Sequence, residues 1–189
     1  MRTALLIIDV QNALCFGEHA AFESQRVIER INQVSAKARA AGAPVFMIQH
    51  ETEDGPLDRG SRGWELAEGL VVDRSDILVA KTAADSFHKT ELDGLLQSRG
   101  IEALVICGLQ SEFCVDTTAR RALALGYPVT LVSDGHSTVD NGILTAAQTT
   151  AHHTATLANI TSFGPRVTPV SAAELRHDQS CAQRKSLAR

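Results

Sequence analysis

Short aliphatic runs alternate with longer amphipathic stretches along most of this chain, and this alternation constrains the fold more than any other feature. Each run has the length of a buried strand and is bounded by glycine, proline or polar residues. The runs lie at 4–8, 45–48, 77–80, 103–107 and 128–132, and Ile160 marks a candidate sixth strand. This rhythm predicts a three-layer α/β/α fold of Rossmann-like type, with a mostly parallel sheet of five or six strands.

The stretches between the runs carry apolar residues at helical spacing, as at Val27, Ile31, Val34 and Ala38. Helices are predicted at about 18–41, from a Thr90 cap to Gly100, at 111–125 and at 143–157. The polar, glycine-rich segment 51–63 is predicted to be a surface loop. With 189 residues, the chain fits one domain over 1–175, followed by a polar tail over 176–189.

Composition excludes several classes of protein. The net charge of −4 argues against a nucleic-acid partner and against a polybasic membrane anchor. The apolar run at the start is ended by Asp9, so it is interpreted as a strand rather than a signal peptide, and a cytoplasmic location is expected. The four cysteines form neither a CxxC pair nor a zinc-site spacing, so we expect reduced thiols and no cofactor.

Chemically capable residues follow the predicted strands. In open parallel sheets, ligands bind beyond the carboxyl ends of the strands. The residues at those positions are Asp9, Gln49 and His50, Lys81, 108–114 and Asp134. A carboxylate, an ammonium and a thiol are therefore expected at one edge of the sheet.

Three of these residues form a set that could activate sulfur without a histidine. Cys114 is expected in the first turn of a helix, where backbone amides favour a thiolate, although it could equally be a buried core residue. Asp9 could accept the thiol proton or could simply cap a loop. Lys81 could hold Asp9 charged and lower the pKa of Cys114, or it could extend along the surface to solvent.

Four motifs in order resemble the isochorismatase-like cysteine hydrolases, a superfamily that includes nicotinamidases and N-carbamoylsarcosine amidohydrolases. The motifs are Leu5-Leu-Ile-Ile-Asp9-Val-Gln-Asn, Lys81-Thr-Ala-Ala-Asp-Ser-Phe87, Gly108-Leu-Gln-Ser-Glu-Phe-Cys114-Val and Gly126-Tyr-Pro-Val-Thr-Leu-Val-Ser-Asp134-Gly-His-Ser-Thr. The resemblance implies a catalytic triad with Cys114 as nucleophile, Asp9 as general base and Lys81 as the adjacent cation. It also implies a cis peptide bond between Leu109 and Gln110, with an oxyanion hole formed by the amides of Gln110 and Cys114.

The chain also departs from the nicotinamidase pattern. Nicotinamidases carry an Asp-x-His pair for a metal where this chain has Gln49-His50-Glu51. We therefore expect no metal and a substrate other than nicotinamide. A nucleophilic cysteine favours an amide-type C–N bond in a small molecule, and the family implies a homo-oligomer. The candidate pocket residues are Phe16, His50, Trp64 and Phe113.

Three alternatives remain open from the sequence. An enzyme of the same fold could cleave a vinyl ether without using the thiol. A catalytically idle assembly protein could keep the fold alone. A redox thiol protein would need Cys107 as the partner of Cys114, because no resolving cysteine stands at CxxC spacing.

Overall fold

The computed structural model describes residues 1–176, which form a six-stranded parallel sheet between two layers of helices. The strands are Thr3–Ile8 (β1), Val45–His50 (β2), Ile77–Lys81 (β3), Ala103–Leu109 (β4), Val129–Ser137 (β5) and Val167–Val170 (β6). The helices are Asn12–Cys15 (α1), Ser24–Ala40 (α2), Leu92–Ser98 (α3), Asp116–Ala124 (α4) and Ala146–Asn159 (α5). A π-helical turn, Ser111–Val115, leads directly into α4. The predicted three-layer fold is confirmed.

The two hydrophobic layers follow from alternation along buried strands. In β1, Leu6 and Ile8 face the layer that contains α3, α4 and α5, whereas Leu5 and Ile7 face the layer that contains α2. Successive side chains of a strand point to opposite faces, so a strand covered on both sides must be apolar at every position. This explains why the predicted strands read as unbroken aliphatic runs.

The strand order β3-β2-β1-β4-β5-β6 places the first strand next to the fourth. The chain builds outward from β1 to β3 and then resumes on the other side with β4. Ligands of open parallel sheets bind where the order reverses in this way. The residues that follow β1 and β4 therefore meet at the switch point of the sheet.

β5 and β6 differ from the sequence prediction. β5 extends to Ser137, because after a register shift it pairs again with β4 through residues too polar to be predicted as a buried strand. Asp134 therefore lies within β5, where it accepts a hydrogen bond from the Ala172 amide at 2.7 Å and pairs with Arg30. The strand predicted at Ile160 is wrong, because that residue caps α5 and the sixth strand starts at Val167.

The long segment between β2 and β3 is irregular and is hydrogen-bonded to α1. The Asn12 and Ala13 amides donate to the carbonyls of Glu65 and Gly63, each at 3.0 Å. The predicted polar tail lies outside the described residues from 177 onward, and so does Cys181. Among residues 1–176, no helix combines the length and apolar character needed to cross a bilayer.

Candidate active site

Lys81 is the last residue of β3, and its side chain turns into the sheet edge rather than out to solvent. Its Nζ atom donates to Asp9 Oδ2 at 2.7 Å and contacts Cys114 Sγ at 3.2 Å. The Lys81 and Asp9 side chains are 0% and 1% exposed. A buried ammonium is costly unless it is paired, and Asp9 supplies that pair. The sequence-predicted carboxylate, ammonium and thiol therefore meet in space.

Asp9 leaves β1 in a left-handed backbone conformation, with φ of 51°. Its amide donates to the Ile48 carbonyl of β2 at 2.9 Å, which anchors the bend. Aspartate tolerates this region better than most residues, and such outliers cluster at functional sites. One carboxylate oxygen, Oδ1, is buried without a hydrogen-bond partner in the described part of the chain. That oxygen is free to accept a proton.

Cys114 lies in the π-helical turn between β4 and α4. The turn is fixed at its first residue, because Ser111 Oγ lies 2.8 Å from His136 Nδ1 and 3.1 Å from Thr150 Oγ1. Burial, followed by the charge of Asp9, raises the pKa of the Cys114 thiol to about 12, although Lys81 acts in the opposite direction. Burial therefore opposes the expected stabilisation of a resting thiolate, although Lys81 acts in the expected direction.

Gly108 brings the strands that carry Asp9 and Cys114 unusually close. Its φ is 122°, and a β-carbon there would lie 2.0 Å from the Ile8 carbonyl oxygen. Only glycine allows this approach. The peptide bond between Leu109 and Gln110 is cis. Among residues 1–176, the Gln110 amide donates no hydrogen bond to a protein acceptor.

The four candidate pocket residues occupy different environments. His50 contacts Lys81 directly, with Nδ1 3.0 Å from Nζ, and Phe113 is 55% exposed next to Cys114. The Trp64 carbonyl accepts hydrogen bonds from Gln11 and Gln49, and the indole Nε1 atom is buried without a partner among the described residues. Phe16 lines a cavity of about 620 Å³ beside α1, to which neither Lys81 nor Cys114 contributes.

Gln11 is a residue of the site that sequence reasoning did not single out. Its side chain is fully buried, accepts from the His50 amide at 2.9 Å and donates to the His50 carbonyl at 2.9 Å. It also donates to the Trp64 carbonyl at 2.7 Å. The only signal in the sequence is an amide side chain two residues after Asp9, in the same motif. Its role depends on a partner 39 residues away.

The position of Cys107 argues against a redox pair with Cys114. Cys107 is fully buried in the layer that contains α2, and its Sγ donates to the Leu6 carbonyl at 3.6 Å. Cys114 packs against the opposite layer. The two thiols are therefore separated by the sheet itself, and burial also raises the pKa of the Cys107 thiol.

One group of side chains within residues 1–176 has the composition of a metal site. Ligand atoms of Asp9, His50 and Cys114 lie within 4.8 Å of one another. However, the Lys81 ammonium already contacts all three residues at 2.7, 3.0 and 3.2 Å. A divalent cation would face this ammonium at close range and would have to displace it. The donor set therefore fits lysine and does not fit a metal.

Comparison with known proteins identifies a domain family and several relatives. The isochorismatase domain profile matches residues 3–173. A streptothricin hydrolase of Streptomyces noursei is 41% identical over 138 residues, which cover 72% of this chain and 50% of that protein. A ureidoacrylate amidohydrolase of Methylobacterium radiotolerans is 29% identical over 209 residues, which cover 91% of this chain and 78% of that protein.

The fold has close structural counterparts. A crystal structure described as an isochorismatase family protein superimposes with a TM-score of 0.82 and 38% identity, covering 90% of this chain and 98% of that one. The chain spans about half the length of the streptothricin hydrolases that it matches, 50% of one and 55% of another. The matched profile covers nearly the whole described fold, and the chain therefore belongs to the isochorismatase domain family.

Proposed function

We propose that this protein is a hydrolase that cleaves an amide-type C–N bond of a small molecule through a thioester on Cys114. The observation that carries the proposal is the Lys81 ammonium, which contacts Asp9 at 2.7 Å and Cys114 at 3.2 Å in a buried setting. Two relatives support the reaction class by name, a streptothricin hydrolase and a ureidoacrylate amidohydrolase.

The first step is proton transfer coupled to attack. Because the pKa of Cys114 is raised to about 12, the thiol is protonated at neutral pH and needs a base. Asp9 takes the proton on its unpartnered Oδ1 oxygen while Sγ attacks the substrate carbonyl. Negative charge thereby leaves the carboxylate as it develops on the substrate, so no additional net charge is buried beside Lys81.

The tetrahedral intermediate needs hydrogen-bond donors for its oxyanion. The amides of Gln110 and Cys114 are suited to this, because both lie at the turn that carries the nucleophile and the Gln110 amide has no protein acceptor among the described residues. Losing one such donor typically costs about 3–4 kcal/mol of transition-state stabilisation. The geometry of the turn is therefore expected to matter as much as the thiol itself.

Collapse of the intermediate completes the first half of the reaction. The protonated Asp9 gives its proton to the leaving nitrogen, the C–N bond breaks, and the acyl group remains on Sγ as a thioester. A water molecule then loses a proton to Asp9 and attacks the thioester carbonyl. Breaking the C–S bond releases a carboxylic acid and restores the Cys114 thiol.

The proposal is tested with a panel of amides, ureides and lactams. Cys114→Ala should abolish turnover, whereas Cys15→Ala, which removes another buried thiol, should keep it. Mass spectrometry of rapidly quenched wild-type protein should find the acyl group on Cys114. Activity of Cys114→Ala on a vinyl ether would instead indicate the thiol-independent alternative. No turnover of any panel member by wild-type protein would favour a catalytically idle role.

A further inference from the structure

Four side chains form a closed ring of hydrogen bonds between the π-helical turn that carries the nucleophile and α5. Ser111 Oγ, at the start of the turn, lies 2.8 Å from His136 Nδ1 and 3.1 Å from Thr150 Oγ1. His136 Nε2 lies 3.0 Å from Thr154 Oγ1, which donates to the Thr150 carbonyl at 2.8 Å. Ser111, His136, Thr150 and Thr154 are called the hydrogen-bond ring, and the proposed reaction steps give them no task.

The number of hydrogens in the ring decides which atom donates in each contact. A hydroxyl carries one hydrogen, and a hydroxyl oxygen 2.8 Å from a carbonyl oxygen needs that hydrogen between them. Thr154 therefore donates to the Thr150 carbonyl and accepts from His136 Nε2–H. In a neutral imidazole Nδ1 is then the acceptor, so Ser111 donates to Nδ1 and accepts from the Thr150 hydroxyl.

The surroundings of His136 favour this neutral imidazole. Burial, and then the nearby His153, lower the pKa of His136 to about 4, whereas Asp134 acts in the opposite direction. A protonated His136 would donate from Nδ1 as well, and Ser111 would then have to turn its own hydrogen towards Thr150. All members of the ring are therefore satisfied together only when His136 is neutral.

The turn that the ring contacts has an uncommon register. The Val115 amide donates to the Gln110 carbonyl, five residues earlier, at 3.2 Å. Single π-helical turns are rare and concentrate at functional sites, and α4 follows this one directly, so an α-helical register is the local alternative. A change of register would re-aim the side chains of the turn, including Cys114, whose Sγ lies 3.2 Å from Lys81 Nζ.

The ring anchors the turn from its buried side. Ser111 is fully buried, whereas Glu112, which accepts from Thr138 at 2.8 Å, is half-buried. The helix at the other end of the ring is itself fixed, because Thr145 and Gln148 form a capping box at the start of α5. The position of α5 is thus transmitted to the first residue of the turn.

We propose that His136 is a positioning residue, whose neutral imidazole closes the hydrogen-bond ring and so holds the turn in the π-helical register that aims Cys114 at Asp9 and Lys81. The inference rests on the proposed function and adds α5 as the element that sets the geometry of the nucleophile. Opening the ring should lower the reactivity of Cys114 without removing any member of the proposed catalytic triad.

The direction of the ring is tested by NMR of protein labelled with ¹⁵N-histidine, with His136→Gln used to assign the His136 signals. Wild-type protein at neutral pH should show a neutral His136 with its hydrogen on Nε2. Thr154→Val removes the acceptor of that hydrogen and should raise the fraction of the Nδ1–H tautomer, whereas Thr154→Ser should match the wild type. An Nδ1–H tautomer or an imidazolium in wild-type protein would overturn the proposal.

The positioning role is tested by the rate at which iodoacetamide alkylates Cys114, followed by peptide mass spectrometry. In this reaction Sγ displaces iodide and the thiol proton passes to Asp9. Ser111→Ala opens the ring and should slow the alkylation about tenfold. Ser86→Ala is the matched control, because it removes another fully buried hydroxyl, bonded to Thr118 at 2.8 Å outside the ring, and it should leave the rate nearly unchanged.

Thr154 provides a second way to open the ring if Ser111→Ala does not fold. Thr154 is half-buried, and Thr154→Val should slow the alkylation of Cys114 while Thr154→Ser restores the wild-type rate. A crystal structure of a slowed variant should show the turn in an α-helical register. A retained π-helical turn, a wild-type or faster rate in folded Ser111→Ala, or equal slowing by Ser86→Ala would overturn the positioning role.

These measurements separate the inference from the proposed function. The tautomer and the alkylation rate are read without turnover, so they decide the role of His136 whatever reaction the protein catalyses. Turnover that survives Cys114→Ala would defeat the thioester mechanism, and slowed alkylation with an altered register in Ser111→Ala would still support the ring.

Discussion

An ion pair lies at each end of the short strand β3: Arg39–Asp76 just before its first residue and Lys81–Asp9 at its last. The two pairs differ in whether the carboxylate keeps an oxygen without a hydrogen-bond partner. At the amino end, the Asp76 carboxylate accepts hydrogen bonds from Arg39 Nε at 3.0 Å, from Arg39 Nη2 at 2.7 Å and from the Asp73 amide at 2.8 Å. At the carboxyl end, Lys81 contacts only one oxygen of Asp9, and the other oxygen has no hydrogen-bond partner among the described residues. The first carboxylate is fully satisfied, whereas the second keeps an oxygen available.

Burial alone therefore does not distinguish a reactive ion pair from a structural one. Both carboxylate side chains are 1% exposed, and both face a cation at 2.7 Å. A saturated pair with a planar guanidinium fixes two elements in register. The Lys81–Asp9 pair leaves one carboxylate oxygen without a partner, and its ammonium also contacts the Cys114 thiol at 3.2 Å. Such a pair can transfer a proton without a change in the backbone.

The largest expected effect is on kcat/KM, which should respond very differently to substitution of the two carboxylates. Asp9→Asn should lower kcat/KM by about 10²–10⁴-fold, because it removes the proposed general base. Asp76→Asn should leave kcat/KM of the folded protein nearly unchanged, because Asp76 lies at the far end of β3. Steady-state kinetics on an amide substrate, with circular dichroism to check folding, measures both. Comparable losses in the two variants would break the comparison.

The second expected effect is on the free energy of unfolding, to which Asp76 should matter even though it does not matter for activity. Asp76→Asn leaves the Arg39 guanidinium without its bidentate partner, and it should lower the free energy of unfolding by about 3–5 kcal/mol. Urea denaturation of the wild type and the variant measures the difference. Arg26→Gln, which removes an exposed pair with Glu23, provides the baseline and should change the free energy by no more than about 0.5 kcal/mol. Equal changes in the two variants would contradict the structural role of Asp76.

The smallest expected effect is a pH dependence of the free energy of unfolding that arises at His136. Burial lowers the pKa of His136, which holds the nucleophile turn through Ser111, to about 4. Between the ordinary value of about 6.5 and this one, the unfolded chain binds a proton that the folded protein does not. The free energy of unfolding should therefore fall by up to about 3 kcal/mol as pH drops from about 6.5 to about 4.

His136→Gln supplies the control for that pH dependence. The variant has no titrating group at this position, so the component due to His136 should disappear from its urea-denaturation profile. The Arg39–Asp76 pair is unchanged in both proteins, and its contribution cancels. A variant that loses stability with acid as steeply as the wild type would assign the pH dependence to other groups.

The layers of the fold and the candidate catalytic groups could both be predicted from the amino-acid sequence. Unbroken aliphatic runs identified strands buried on both faces, because neither face of such a strand contacts water and both are therefore apolar. Asp9, Lys81 and Cys114 were found because they stand at or just beyond strand ends, where parallel sheets bring distant residues together. The family motifs then assigned them roles that spacing alone left open.

Other features depend on contacts between distant parts of the chain and could not be predicted from local sequence patterns. The polar end of β5 is a strand only because β4 pairs with it, so its sequence does not read as a buried strand. The raised pKa of Cys114 follows from burial in a site whose walls come from several segments, and that burial exceeded the effect of Lys81 that the sequence had suggested. His50 and Gln11 join the site through contacts with residues of other strands. Propensity and periodicity are properties of neighbours along the chain, whereas burial and hydrogen bonding depend on which strands the fold brings side by side.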